Sequence, residues 1–530
     1  MNNPVSSLPE TAVAVQTTSS APPAASSLEA ASPEKPRSRF SARQVAKSAA
    51  QRLKSTLRER QAPKDRLEIV PPPAEPSAAD NPSNEEDAVS IDIFETRPEV
   101  PSRPNSFLID EDMADAVAAE EAAPAPAAAS GSGMRGPLAG VRVLDLSRLY
   151  PGPLATMMMA EMGADVIKVE DMISPDSMRS YPPFLGETSA GYLAVNRSKR
   201  SLAIKFNEER GQEIFFRLVK TADIVIEQFR PGVLEHIGLG YQEAIKTNPR
   251  IIYISLTGYG QNGPYAKKAG HDVNYMGYAG MIASNASEKG GAVLPGAQIA
   301  DVAGGAYMAI IAALSALWAR ETTGVGQKVD VSMLDALLPM LSLQMAQYWA
   351  TSLYLPPWQM PLSGGLAIYG IYKCKDGKYV SLGALEPKFW KKFCQIVDKP
   401  GWEDRYYAHG EANEKLKIEM TRMFKSRTRD EWIDLVGVAD ICLSPVLDIP
   451  EMEDDPHIRA RQMVVEHEHP QFGAIKGIGL PLKFSHTHSL PPRPAPALGE
   501  HTLQLLEELG FTEKDVADMR RKRAIFTGKP

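Results

Sequence analysis

From about Gly136 onward the chain alternates short apolar runs with segments of helical period. VRVLDLS (141–147), ADVIKVE (164–170), SLAIKF (201–206), ADIVIEQF (222–229) and RIIYISLTG (250–258) are strand-length runs rich in β-branched residues. Residues 153–162 and 208–220 between them suit helices. Strands alternating with helices predict parallel βαβ units with helices on both faces of one sheet. The expected fold class is therefore α/β, with a Rossmann-like large domain. The first strand runs into Tyr150-Pro151-Gly152-Pro153 and not into G-x-G-x-x-G, while GYGQNG at 258–263 has its glycines wrongly spaced. Dinucleotide binding thus lacks its phosphate loop.

A different pattern follows. AIYGIYK (367–373) and KYVSLG (378–383) flank Asp376-Gly377, a hairpin turn signal. A helix is predicted from Glu386-Pro387, with proline at a favoured first position. This reads as a linker and small α+β domain over residues 341–475. The large domain is expected over 135–340, completed by about 476–525, including a helix near 499–510. Residues 1–134 are rich in Pro, Ala, Ser and Glu with few aromatics, a composition that cannot bury enough apolar surface to offset chain entropy. They are expected to be a disordered extension. Its basic stretch 40–61 reads as a solvated charged segment, or as a transient helix meeting an acidic partner or an anionic surface.

Composition narrows the function classes. A formal net charge of −7 opposes a nucleic-acid partner, which would show a basic footprint. Cys374, Cys394 and Cys442 are too few for a disulfide framework or a metal cluster, and they fit a reducing compartment. The N-terminus lacks the basic start and apolar core of a signal peptide, so a cytoplasmic location is expected. Val302–Ala319 carries no charge and approaches spanning length, but its small residues and the turn after it suggest a buried helix. No membrane span, metal or cofactor is expected.

The candidate chemistry lies in three places. Gly270-His271-Asp272, Asp301 at the head of the Ala-rich segment, and Glu386 supply an imidazole and carboxylates for moving a proton on and off carbon. Each has a structural reading too: Asp301, Asp272 and Glu386 as helix caps, His271 as a structural histidine. The basic run Asn196-Arg197-Ser198-Lys199-Arg200, joined by Arg179 and Arg230, reads as a phosphate site or as a solvated loop. His467/His469 and His486/His488 have i, i+2 spacing, but no Cys or carboxylate set completes a tetrahedral site.

Several motifs together carry a resemblance. Leu138-Ala139-Gly140-Val141-Arg142-Val143-Leu144-Asp145 is followed by Pro151-Gly152-Pro153, then Gly163-Ala164-Asp165-Val166-Ile167-Lys168-Val169-Glu170. Lys199-Arg200-Ser201, Phe229-Arg230-Pro231-Gly232 and Thr323-Gly324-Val325-Gly326-Gln327 come next. The block from Gly136 to about residue 525 resembles the family III CoA-transferases, which include formyl-CoA transferase and α-methylacyl-CoA racemase. The resemblance implies an acyl-CoA substrate, an interlocked homodimer, and an active site between the large domain of one subunit and the small domain of the other. It also implies that Arg179, Arg197, Lys199, Arg200 and Arg230 meet CoA.

Two chemistries compete within the family. In racemases the aspartate matching Asp301 and the histidine matching His271 exchange the α-proton from opposite faces. A glutamate matching Glu386 supports the histidine, and Asp272 helps place its loop. In transferases the same aspartate attacks the thioester and forms an aspartyl-CoA intermediate. Gly270-His271-Asp272-Val273-Asn274-Tyr275 and Gly383-Ala384-Leu385-Glu386-Pro387 look like the racemase motifs. Ala297 departs from them, standing where racemases tend to carry an asparagine bonded to the aspartate. The expectation is a racemase or epimerase of a 2-methylacyl-CoA. The alternatives are a CoA-transferase or, from another class, a non-catalytic scaffold whose tail is functional.

Overall fold

The computed structural model describes residues 136–287 and 289–528. The expected extension, with its basic stretch, lies outside the described residues. Six parallel strands form the main sheet: β1 (Arg142–Leu146), β2 (Asp165–Asp171), β3 (Arg200–Ile204), β4 (Ile224–Glu227), β5 (Ile252–Thr257) and β6 (Lys328–Ser332). Their spatial order is β3-β2-β1-β4-β5-β6, and a short antiparallel strand, Ile525–Phe526, closes the β3 edge. The order reverses direction between β1 and β4. In open parallel sheets the crevice beyond the strand ends at such a reversal is where ligands bind.

The period of two in the strands decides the layers, because alternate side chains face opposite sides of a sheet. Val143, Val166, Ile226 and Ile254 point to one face and pack with Met157 and Met159 of helix α1 (Pro151–Glu161). Leu144, Ile167, Val225 and Tyr253 point to the other and pack with Ile214, Phe215 and Leu218 of α2 (Glu209–Val219). Each such fully buried large apolar side chain contributes roughly 1.5–3 kcal/mol of transfer free energy. The next elements that matter are α3 (Val233–His236), α4 (Asp272–Tyr278) and α5 (Met308–Thr323), the last preceded by a widened π-helical stretch, Ala300–Tyr307.

The apolar segment expected to be a buried helix is only half buried. Ala309, Ala313 and Ala316 face the core, and Arg320 is buried against Asp223 at 2.8 Å. Tyr307, Ile311, Leu314 and Trp318 face outward, Trp318 being 78% exposed. Among the described residues, Ala300–Thr323 is the one helix long and apolar enough to cross a membrane. After it, α6 (Ser342–Thr351) buries none of its residues. A separate three-stranded antiparallel sheet contains the hairpin Tyr369–Lys373 and Tyr379–Gly383, with Leu443–Val446 on its edge. Gly377 takes φ +85° in its turn, a conformation glycine adopts without the Cβ penalty. Trp390 and Phe393 of α7 (Pro387–Ile396) join Phe424 and Trp432 in its core.

The basic run 196–200 proves to be interior structure. Lys199 is fully buried and donates from Nζ to Asp145 Oδ2 at 2.9 Å, to the Pro153 carbonyl at 2.9 Å and to Asn196 Oδ1 at 2.8 Å. Asp145 also accepts from the Thr156 hydroxyl at 2.7 Å and the Ser147 amide at 2.9 Å. Burial alone would raise the Asp145 carboxyl, but Lys199 and Lys168 outweigh it and hold the group well below the usual carboxylate range. Asp145→Ala would leave that lysine buried without its partner, and is expected to destabilise the chain by roughly 3–5 kcal/mol. A denaturant midpoint shift at constant slope measures it.

Candidate active site

A cavity of about 410 Å³ opens at the C-terminal ends of β1, β4 and β5. Pro151 follows β1, Arg230 follows β4 and Tyr259 follows β5, and all three line it. Both His271 and Asp301 lie on its wall. The two are thirty residues apart and share that wall because α4 and the π-helical stretch pack side by side.

His271 occupies the cap position of α4 in extended backbone, φ −127° and ψ 175°. Its amide donates to Asn274 Oδ1 at 3.0 Å, and its carbonyl accepts from the Asn274 amide at 2.8 Å. The preceding carbonyl, Gly270, accepts from the Tyr275 hydroxyl at 2.5 Å. A Cβ on Gly270 would stand 2.7 Å from the Tyr275 ring and 2.8 Å from the Tyr259 hydroxyl, so glycine is required there. The histidine loop is thus held from both sides.

Asp301 is the second residue of the π-helical stretch, whose cap position falls on Ile299, so the helix-cap reading of this residue fails. Its backbone amide donates instead to Asp272 Oδ1 at 3.0 Å. Asp272 is the residue after His271, so one carboxylate ties the histidine loop to the aspartate. Burial pushes the Asp301 carboxyl from 3.8 up to about 7, and the nearby Asp272 charge adds to the shift. Position 297 is alanine and brings no amide to it. π-Helical turns are rare and recur at functional sites. Here Gly304 and Gly305 lie too close to the Met333 carbonyl and Pro151, respectively, for any Cβ, which presses the stretch onto the sheet end.

Glu386 stands elsewhere. It precedes α7, is exposed, makes no capping bond, and does not line the cavity. Within one chain the three candidate groups do not converge.

Of the five expected CoA-binding cations, only Arg230 reaches the cavity. The other four are committed to carboxylates of the same chain. Arg179 meets Glu170 at 2.7 Å and lies over the Tyr192 ring; Arg197 is buried against Glu161. Lys199 pairs with Asp145, and Arg200 bridges Asp165 and Glu508, each at 2.7 Å. The cations expected to meet CoA are thus held in ion pairs of this chain, because buried cations need partners. Arg179 and Lys199 border a second cavity of about 700 Å³ together with Arg493 and His501.

Lys268 was not singled out from the sequence, yet it lines the active cavity. Its ammonium donates to the Tyr278 hydroxyl at 3.1 Å and lies 3.9 Å from the centre of the Tyr265 ring. Tyr259, Tyr265, Tyr275 and Tyr278 form an edge-to-face cluster beneath the histidine loop. The tyrosines around His271 were the available signal.

Residues 138–502 match the family model for CoA-transferase family III. Human succinyl-CoA:glutarate CoA-transferase is 33% identical over 391 residues, 72% of this chain and 88% of that protein. Mouse alpha-methylacyl-CoA racemase is 30% identical over 398 residues, covering 74% and 98%. Among solved structures, a CAIB/BAIF family protein from Brucella suis aligns with a TM-score of 0.62 at 29% identity, over 71% of this chain and 100% of that one.

A raised carboxyl costs nothing while folded and unfolded chains both hold the proton. Stability falls as the pH rises from about 4, where the unfolded group ionises, to about 7, where the folded one does. Asp301→Asn is therefore expected to be more stable than the wild type at pH 8, with the difference vanishing near pH 4. Asp272→Asn removes a negative charge but keeps the acceptor for the Asp301 amide, and should move the Asp301 titration down. Thermal melts across that pH range check both.

Proposed function

Because the chain belongs to CoA-transferase family III, whose substrates are acyl-CoA thioesters, we propose that it racemises or epimerises a 2-methylacyl-CoA by α-proton exchange. The observation that carries this reading is the placement of His271 and Asp301 on one cavity wall, where burial pushes the Asp301 carboxyl up to about 7. A group near its own pKa serves as acid or base with little penalty. One of the pair removes the α-proton, and the C–H electrons move into the thioester carbonyl as an enolate. The other then returns a proton to the opposite face. The pair must hold one proton between its two members, so kcat/KM is bell-shaped with pH, and both limbs belong to the pair.

In this reading Glu386 orients the histidine from a second copy of the chain. The support is the uncovered apolar face of α5, continued by Leu343 and Trp349 of α6, each 71% exposed. Contiguous apolar surface of this kind marks a protein interface. Arg230 and Lys268 meet the anionic parts of the thioester. Sedimentation of the full chain is expected to show a homodimer, and Trp318→Glu to shift it toward monomer. The reducing-compartment cysteines keep a cytoplasmic setting as part of the proposal.

A second reading is transfer of CoA to a carboxylic acid through Asp301 as nucleophile. Ala297 favours it, since the aspartate has no amide beside it to hold it as a base. Incubation with a 2-methylacyl-CoA in deuterated water separates the two. Racemisation is expected to wash deuterium into the α-position with no acceptor acid present, and His271→Asn or Asp301→Asn to lower that rate by roughly 10²- to 10⁴-fold. Absence of washout, with an acyl intermediate trapped by hydroxylamine, would replace the first reading by the second. A folded Asp301→Ala chain with undiminished turnover would leave only a scaffold role.

A further inference from the structure

Glu227 ends β4, immediately before the Gln228-Phe229-Arg230-Pro231 segment that forms one side of the active cavity. It is 6% exposed and has no ion-pair partner among the described residues. Its Oε2 accepts from the Phe229 amide at 2.8 Å. The segment is pinned at two further points. Gln228 Oε1 accepts from the Gly152 amide at 3.3 Å, and the Phe229 ring packs on Phe206 and beneath the Arg148 guanidinium. Phe229 and Arg230 both border the cavity, and the amide between the strand end and Arg230 is held by the Glu227 carboxyl. A buried carboxyl without a cation is costly, and its retention at a strand end asks for a reason.

We propose that Glu227 is a positioning residue that, by holding the Phe229 amide from beneath, fixes where Arg230 meets the anionic part of the substrate. The proposal rests on the acyl-CoA reading for the identity of that substrate. Burial pushes the Glu227 carboxyl up to about 7. The titratable groups that face it are Glu235 on α3, Lys328 on β6 and Tyr253 on β5, and the first two pair with each other at 3.5 Å.

The test uses the full chain and two readouts, amide hydrogen exchange without substrate and steady-state kinetics with an acyl-CoA. Glu227→Ala is expected to speed exchange of the Phe229 amide and to raise KM about tenfold, while kcat stays within about twofold. Glu227→Gln keeps an oxygen for the Phe229 amide and is expected to restore both, and to flatten the dependence of KM on pH between about 6 and 8. Unchanged exchange at Phe229 in a folded Glu227→Ala chain overturns the proposal, as does a loss confined to kcat. Should the Phe229 amide respond while the wild type binds no acyl-CoA, the positioning role is upheld and the acyl-CoA reading is the one that fails.

Discussion

The carboxylate of Asp145 cannot be buried alone, and the arrangement of the strand ends follows from that constraint. It sits at the end of β1 with no exposure and draws in Lys199 from the loop before β3, Thr156 from α1, and the Ser147 amide. Lys199 in turn reaches the Pro153 carbonyl. Three separate stretches of chain are thereby fastened to one point beside the sheet's reversal. Pro151, two residues before Pro153, then has a fixed place on the cavity wall and against Gly305. The neighbouring pair, Lys168 with Asp176 at 3.0 Å, repeats the device one strand over.

That network keeps Arg197, Lys199 and Arg200 out of the cavity. Four of the expected cations are spent on carboxylates elsewhere, so Arg230 and Lys268 are left to the cavity, where Asp301 is half-buried with Asp272 adding negative charge. Its elevated carboxyl is a consequence of burial first and of the Asp272 charge second. The tyrosine cluster acts in the same direction, lending Gly270 a hydrogen bond and the cavity floor an apolar body. A carboxyl pushed up toward neutrality has neither its charged nor its neutral form strongly preferred there, whichever reaction it serves.

The strand runs, the helix after Glu386, the hairpin at Asp376-Gly377 and the parallel α/β layout were legible along the chain, because period and turn chemistry are local properties, whereas the strand order was not. His271, Asp301 and Asp272 were legible as candidates by residue type and motif. The cationic loop reads in sequence as a phosphate site or a solvated stretch, and its side chains are held in internal ion pairs. A row of Arg and Lys looks the same in sequence whether its carboxylates lie across a loop or across the sheet. Lys268 and Glu227 went unnoticed for the complementary reason: nothing in KKAG or VIEQF distinguishes a cavity lysine or a strand-end carboxyl from an ordinary one.

What the sequence by itself determined is the layering, since alternation of period two with period 3.6 admits few other folds, and the kinds of group available for chemistry. What only the tertiary structure decided is which of them meet. Asp301 and His271 share a wall because Asp272 bonds across the gap between them, whereas Glu386, equally prominent in the sequence, stands apart at the head of α7. Proximity arises from long-range pairing of buried polar groups and from close packing at glycine, and neither leaves a mark at fixed spacing along the chain.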